Sequence, residues 1–336
     1  MQGTITVRRT LVPILAAGLL LGVTACGSSS TTSTPTTAPA AASPTTTPSA
    51  SPTTAGSTSP PATTPAPAKE PSITIGSANF PENVILADIY ADALEKAGIK
   101  VTSKLNIGAR EVYFKALENG QLNLFPEYNG ALLDYLSSSA TASSTAGVNE
   151  ALAKVLPASL EALPSASAQD KDSITVTEKF AAAHHLKSIG DLKAIQSSVT
   201  VGGPPEFATR EEGLLGLKKL YGLSGVKFKP LDESGPLTIA ALNDGTIQAG
   251  DVFTTDPSVA KYHFVALADP LHLFAAQNVT PIIAKSVATP LITKTIDAVS
   301  ASLTTADLVT LVGGVVNDHD DPGTVAAQFV SEEKLG

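Results

Sequence analysis

Apolar residues from position 72 onward fall into two alternating rhythms. Ile73 and Ile75 alternate with polar neighbours and predict a strand, whereas Ile85, Leu86, Ile89, Ala93, Leu94 and Ala97 recur at helical spacing. Pro81 suits the first turn of that helix and Gly98 its stop. Residues 101–105 predict a second strand, and residues 110–119 a second helix whose Val112, Tyr113, Ala116 and Leu117 form the buried stripe. Gly120 ends that helix, and Leu122 and Leu124 then share one face of a third strand. Pro126 is expected to stop the ladder there, so that Glu127, Tyr128 and Asn129 project beyond the strand end. Crossovers this short specify parallel neighbours, and in an open α/β sheet ligands sit beyond such strand ends.

A second α/β run follows. A helix is expected over 148–163, strands over 174–177, 199–201, 226–228, 247–253, 264–267 and 279–284, helices over 210–220 and 236–242, and three further helical patterns after Pro290. The expected organisation is two lobes, 72–176 with 279–336, and 177–278. A weak internal repeat joins them, because 116–123 (ALENGQLN) parallels 241–248 (ALNDGTIQ). Tyr128 and Phe253 each stand twelve residues beyond the first Ala of their copy. If the halves face each other, the two rings line opposite walls of one cleft; the competing reading makes Phe253 an ordinary core residue after a common kind of helix end.

The first 71 residues break both rhythms. Arg8 and Arg9 precede an apolar run over 11–23 that is short for a bilayer span, and small residues follow it, which is the layout of a signal peptide over 1–25. Val23-Thr24-Ala25-Cys26 resembles a bacterial lipobox and implies a lipid on Cys26, the only cysteine. Residues 26–71 are dominated by Ser, Thr, Pro and Ala and lack the large apolar groups that would offset chain entropy, so a disordered tether is expected. The location implied is the extracytoplasmic face of the cell membrane, through the lipid anchor.

Charge and chemistry narrow the function. The formal net charge is −9, and loss of Arg8 and Arg9 with the signal takes the basic count from 22 to 20 against 31 acidic residues. That balance argues against a nucleic-acid partner. His184 and His185 are adjacent rather than at metal spacing, and neither a His-Glu-x-x-His pattern nor a Gly-x-Ser-x-Gly elbow occurs. Neither a metal nor a cofactor is expected, and an enzyme is the lesser reading. Asp321 before Pro322 reads as a helix cap rather than part of a calcium loop.

Several motifs occur in an order that resembles one family. Asn79-Phe80-Pro81-Glu82-Asn83, Asn106-Ile107-Gly108, Pro126-Glu127-Tyr128-Asn129-Gly130, Glu206-Phe207 with Arg210, Tyr221-Gly222 and Phe253-Thr254-Thr255-Asp256 are similar to the substrate-binding proteins of glycine betaine/carnitine/choline ABC importers. The resemblance runs from residue 73 to the C-terminus. It implies the α/β two-lobed periplasmic-binding-protein fold of type II, a small-molecule solute, and permease and ATPase partners. It also implies an aromatic cage, since a quaternary ammonium has no hydrogen to donate and is selected by ring faces at about 0.5–2 kcal/mol each. Ligand contact is expected from Tyr128, Phe253, Phe80, Asn83, Glu127, Asn129, Thr255 and Arg210.

Local chemistry offers some of these residues other work. Glu127 could cap a backbone amide, Arg110 and Arg210 could pair with acidic neighbours, and Thr254-Thr255-Asp256 before Pro257 is an N-cap pattern. Asn83 and Asn129 stand where the family commonly has Gln and Thr, and 165–172 lacks a Tyr common there. These departures keep open a bulkier or non-quaternary ligand, and the long tether keeps open an envelope scaffold or sensor.

Overall fold

Leu122 and Ile247 explain the repeat. Each follows a glycine that closes a helix with positive φ, Gly120 at +69° and Gly245 at +80°, and each packs where another glycine leaves room. A Cβ on Gly76 would come within 2.6 Å of Leu122, and one on Gly202 within 2.6 Å of Ile247. One residue further on, Asn123 accepts the Thr74 amide through its side chain at 2.6 Å, and Gln248 accepts the Thr200 amide at 3.0 Å. The two copies are therefore the same joint made twice.

The computed structural model describes residues 69–336; the expected signal segment, Cys26 and the tether through residue 68 lie outside the described residues. In the first sheet β1 (Ile73–Gly76) runs parallel to β2 (Val101–Lys104) and to β3 (Leu124–Tyr128), linked through α1 (Pro81–Lys96) and α2 (Arg110–Glu118). Two more strands complete it, β4 (Leu160–Ala162) at the edge and, between β4 and β3, a later strand, Val279–Ala284, that runs antiparallel to both. The second sheet repeats the plan with β5 (Asp172–Thr177), β6 (Thr200–Gly203), β7 (Lys227–Pro230), β8 (Ala249–Phe253) and β9 (Phe264–Ala266). With the later strand numbered β10, the orders are β2-β1-β3-β10-β4 and β7-β6-β8-β5-β9, and the strand senses match position by position. This is the mixed α/β, two-sheet type II fold that the sequence led us to expect.

Four expectations need correction. Val112, expected in the buried stripe of α2, is 54% exposed. Pro126 does not stop the ladder. The amide of Asn129 donates to Asn278, which makes every second pair from there hydrogen-bonded, and Pro126 faces Pro281 in the register between such pairs. Neither proline is asked for an amide across their shared edge, so β3 continues to Tyr128. The helix expected over 148–163 is α4 (Thr145–Val155) followed by β4. Pro157 forces Leu156 to an extended ψ of 141°, and the released chain pairs with β10. The passage between lobes expected after residue 176 falls earlier, between β4 and β5, because β5 pairs with β8 and β9.

The first lobe has the larger core. Ile85, Leu86, Ile89 and Leu94 of α1 are fully buried or nearly so, because the C-terminal helices α9 (Pro290–Ser302), α10 (Thr305–Asn317) and α11 (Pro322–Glu332) pack on α1. Each such side chain contributes about 1.5–3 kcal/mol. Apolar packing in the second lobe is split into two smaller clusters, one around Ile174, Val201 and Phe207 and one around Ile239, Leu242 and Val252. No single helix among the described residues is long and apolar enough to cross a membrane.

Candidate functional site

Pro81 opens α1 and leaves Phe80 extended at its N-cap, with φ −132° and ψ 153°, so the ring turns away from the helix. It meets the residues that end β3 and β8. The Phe80 and Phe253 rings lie 5.0 Å apart at 59°, and the Phe80 and Tyr128 rings 6.1 Å apart at 32°. Phe80 and Tyr128 are buried, and Phe253 is half-buried. All three wall a cavity of about 30 Å³ that also meets Arg110, Arg210 and Glu212. Phe80 and Phe253 face a second, larger cavity of about 670 Å³, whose other walls include Glu233, Thr255, Ile239 and Val312.

A polar lattice ties the lobes together beside the rings. Glu82 accepts the Tyr128 hydroxyl at 2.7 Å from its own lobe and the Thr255 hydroxyl at 2.6 Å from the other. Burial lifts its carboxyl to about 6, against those hydrogen bonds. Asp170 accepts the Thr255 amide at 3.1 Å and the Thr254 hydroxyl at 3.2 Å, and burial together with Glu82 holds it well above the usual carboxylate range. Two arginines then cross in opposite directions. Arg110 of α2 grips Glu127 with two N–H groups at 2.8 and 3.2 Å and reaches Glu212 of the second lobe at 3.4 Å. Arg210 of the second lobe grips Glu111 of α2 with two N–H groups, each at 3.1 Å, and reaches Glu233 at 3.4 Å.

The structure brings together Phe80, Tyr128, Phe253 and Arg210 around the small cavity and places Thr255 on the larger one. The remaining three expected site residues line neither, because their polar atoms hold the chain itself. Asn83 accepts the Ala78 amide and donates to the Pro126 carbonyl, both at 2.7 Å. Asn129 donates to Asn149 at 2.6 Å and accepts the Gly130 and Asn278 amides. Glu127, besides Arg110, accepts the Tyr113 hydroxyl and the Tyr128 amide, both at 2.7 Å. The capping and pairing alternatives for Glu127, Arg110 and Arg210 describe these contacts.

Sequence reasoning missed Glu82, Asp170, Asp172, Glu212, Glu233 and Gln277. Glu82 had a usable signal, since it lies in the same first helical turn as the resemblance-bearing Phe80. The others are scattered over a hundred residues, and only the fold makes them neighbours.

Known proteins agree with this architecture. Residues 71–332 match the family described as the substrate binding domain of ABC-type glycine betaine transport system. A glycine-betaine-binding protein of Pseudomonas aeruginosa is 26% identical over 286 residues, covering 80% of this chain and 90% of that protein. The glycine betaine-binding protein YehZ of Escherichia coli is 26% identical over 276 residues, covering 78% and 90%. A crystal structure of a glycine betaine/carnitine/choline ABC transporter superposes with a TM-score of 0.63 at 21% identity, covering 79% of this chain and 99% of that one.

Proposed function

Because the chain belongs to the family of substrate-binding domains of ABC-type glycine betaine transport systems, we propose that it captures a small solute of the glycine betaine, carnitine and choline class between its lobes, by an aromatic cage of Phe80, Tyr128 and Phe253. Proteins of this family are extracytoplasmic solute receptors that work with a permease and an ATPase. The lipid on Cys26 would hold this one at the membrane, and the tether would give it reach to the permease.

The observation that carries the reading is the convergence of three rings from both lobes. A methylated ammonium gains attraction from each ring face and needs no hydrogen-bond partner, so a set of faces with Glu82 behind Tyr128 suits it. Closure of the lobes completes the set, since Phe253 alone comes from the second lobe. The 670 Å³ cavity that borders Phe80 and Phe253 supports a second reading, a bulkier solute whose body lies against Ile239 and Val312.

Calorimetric titration of the full-length chain with glycine betaine, carnitine and choline tests both. Saturable binding of any of the three supports the first reading. Absence of heat and of thermal shift at millimolar concentrations of all three rejects it.

A further inference from the structure

The two cavities that meet at Phe80 and Phe253 are unequal. The small one, of about 30 Å³, has room for roughly one or two water-sized groups, so a solute held on the ring faces places most of its volume in the larger one, of about 670 Å³. That larger cavity lies between the lobes. Its second-lobe wall is α7 (Pro236–Asn243), which contributes Ile239 and Ala240, and its first-lobe wall is the C-terminal half of α10, which contributes Val312, Val315 and Val316. None of these side chains donates or accepts a hydrogen bond. Lys261 and Asn317, both exposed, join the two walls at 3.4 Å, whereas Phe80 and Glu82 on the same cavity are buried. The cavity therefore runs from a buried ring end to a solvent end.

A pocket of about 300–1,000 Å³ with mostly apolar walls takes a drug-sized molecule, and glycine betaine is much smaller than that. The occupant needs an apolar body, because covering Ile239 and the valines removes apolar surface from water. It also needs a head of the right sign. The carboxylates Glu82, Glu233, Asp244 and Asp256 outnumber the lysine on these walls, Lys261, and that lysine stands at the solvent end. A fatty acid would set its carboxylate against these acids, and a neutral amphiphile would leave the ring faces unused. A quaternary ammonium that carries an apolar chain matches both ends of the cavity.

We propose that the larger cavity is a subsite for a short acyl chain, so that the receptor binds O-acylated quaternary amines, of which the choline esters are the simplest, more tightly than the bare head group. The inference rests on the second, bulkier-solute reading and names its ligand class. The head takes the faces of Phe80 and Phe253, which are walls of both cavities, and the chain runs between α7 and α10. Because those two helices belong to different lobes, the chain is covered on both sides only when the lobes are closed on it. A longer chain therefore also favours the closed receptor.

A chain-length series is the test. The full-length chain is titrated by calorimetry with choline, acetylcholine, butyrylcholine and hexanoylcholine. Burial of one methylene is worth roughly two- to fourfold in affinity, so hexanoylcholine is expected to bind at least about tenfold tighter than acetylcholine. In Val316→Asn and Ala240→Asn, which put an amide on either wall and are each checked for folding by thermal transition, the ratio of hexanoylcholine to acetylcholine affinity is expected to fall at least about threefold. Affinity that stays flat or falls along the series, while choline, glycine betaine or carnitine binds, overturns the chain subsite and leaves the receptor reading intact. A gain that persists undiminished in the folded variants also overturns the subsite. If neither the esters nor choline, glycine betaine and carnitine bind, both readings fall.

Discussion

The two lobes are built on one sheet plan and differ at the residue two before the ring each sends into the cleft. In the first lobe that residue is Pro126, facing Pro281 across a ladder that needs no amide from either. In the second it is Asp251, buried and short of a donor. The same contrast runs outward. The first lobe's buried carboxylate beside Tyr128, Glu127, is saturated by Arg110, Tyr113 and the Tyr128 amide, and its α1 is enclosed by three C-terminal helices. The second lobe offers Asp172, Glu212 and Glu233 with single or longer contacts and a divided core. Duplication of a fold thus does not duplicate its electrostatics: one lobe holds its carboxylate with several close donors, and the other keeps a buried carboxyl, Asp251, with an unpartnered oxygen.

The sharpest way to break this comparison is to remove its two arginines in turn. Arg110 and Glu127 are 8% and 0% exposed at the side chain, so Arg110→Met strands a buried carboxylate and is expected to cost about 3–5 kcal/mol. The mirror pair, Arg210 and Glu111, is 13% and 36% exposed. Water reaches Glu111 but hardly Glu233, the second partner of Arg210, and Arg210→Met is expected to cost about 1–3 kcal/mol. Urea unfolding of both variants measures the difference. Equal losses would mean that the pair between the lobes is held as tightly as the pair inside the first lobe and that the platform description is wrong.

Acidity gives the next largest effect. The folded carboxyl of Glu82 is raised to about 6 from an ordinary 4.5, and that of Asp134 to about 7 from 3.8, both by burial first. A raised acid binds its proton more tightly folded than unfolded. Stability from these groups is therefore greatest below their unfolded values and falls as pH rises through the folded ones. The thermal midpoint is expected to decline between about pH 4 and pH 7, and Glu82→Gln should flatten the portion between about 4.5 and 6. A midpoint that climbs over this range would show that these carboxyls ionise freely in the folded protein.

How much of this was readable in the chain follows from which signals are local. The α1 stripe, the Gly caps and the joint copied at Leu122 and Ile247 depend on neighbours within a few residues, and periodicity exposes them. Pro126 misled because a proline's tolerance depends on the register opposite, which belongs to a strand more than 150 residues away. Asn83 and Asn129 misled for a related reason. A polar residue at a strand-to-helix junction looks the same whether its amide faces a solute or holds a neighbouring peptide. The carboxylates at 170, 172, 212, 233 and 251 carry no shared spacing, so only the closed fold gathers them.

The glycine caps offer a control in which the lobes should agree. Gly120 and Gly245 both hold positive φ with nothing within 4 Å of a built Cβ, so alanine at either pays only the backbone term, about 1–2 kcal/mol. Matching losses in Gly120→Ala and Gly245→Ala, measured by thermal unfolding, would confine the difference between lobes to side chains. A much larger loss in one would place part of it in the backbone joint.

The smallest effect asks whether both lobes touch the ligand's cation. Leucine at Phe80 or Phe253 keeps apolar bulk and removes the ring quadrupole, a change of about 0.5–1 kcal/mol, or roughly two- to fivefold in choline affinity. Phe80 stands between the other two rings and is 8% exposed, so it faces the cation in any arrangement that uses the cage. Phe253 reaches it only from the second lobe. Comparable losses in Phe80→Leu and Phe253→Leu, read by calorimetry, mean that the cation is clasped from both sides. A loss at Phe80 with none at Phe253 means that the first lobe alone supplies the faces.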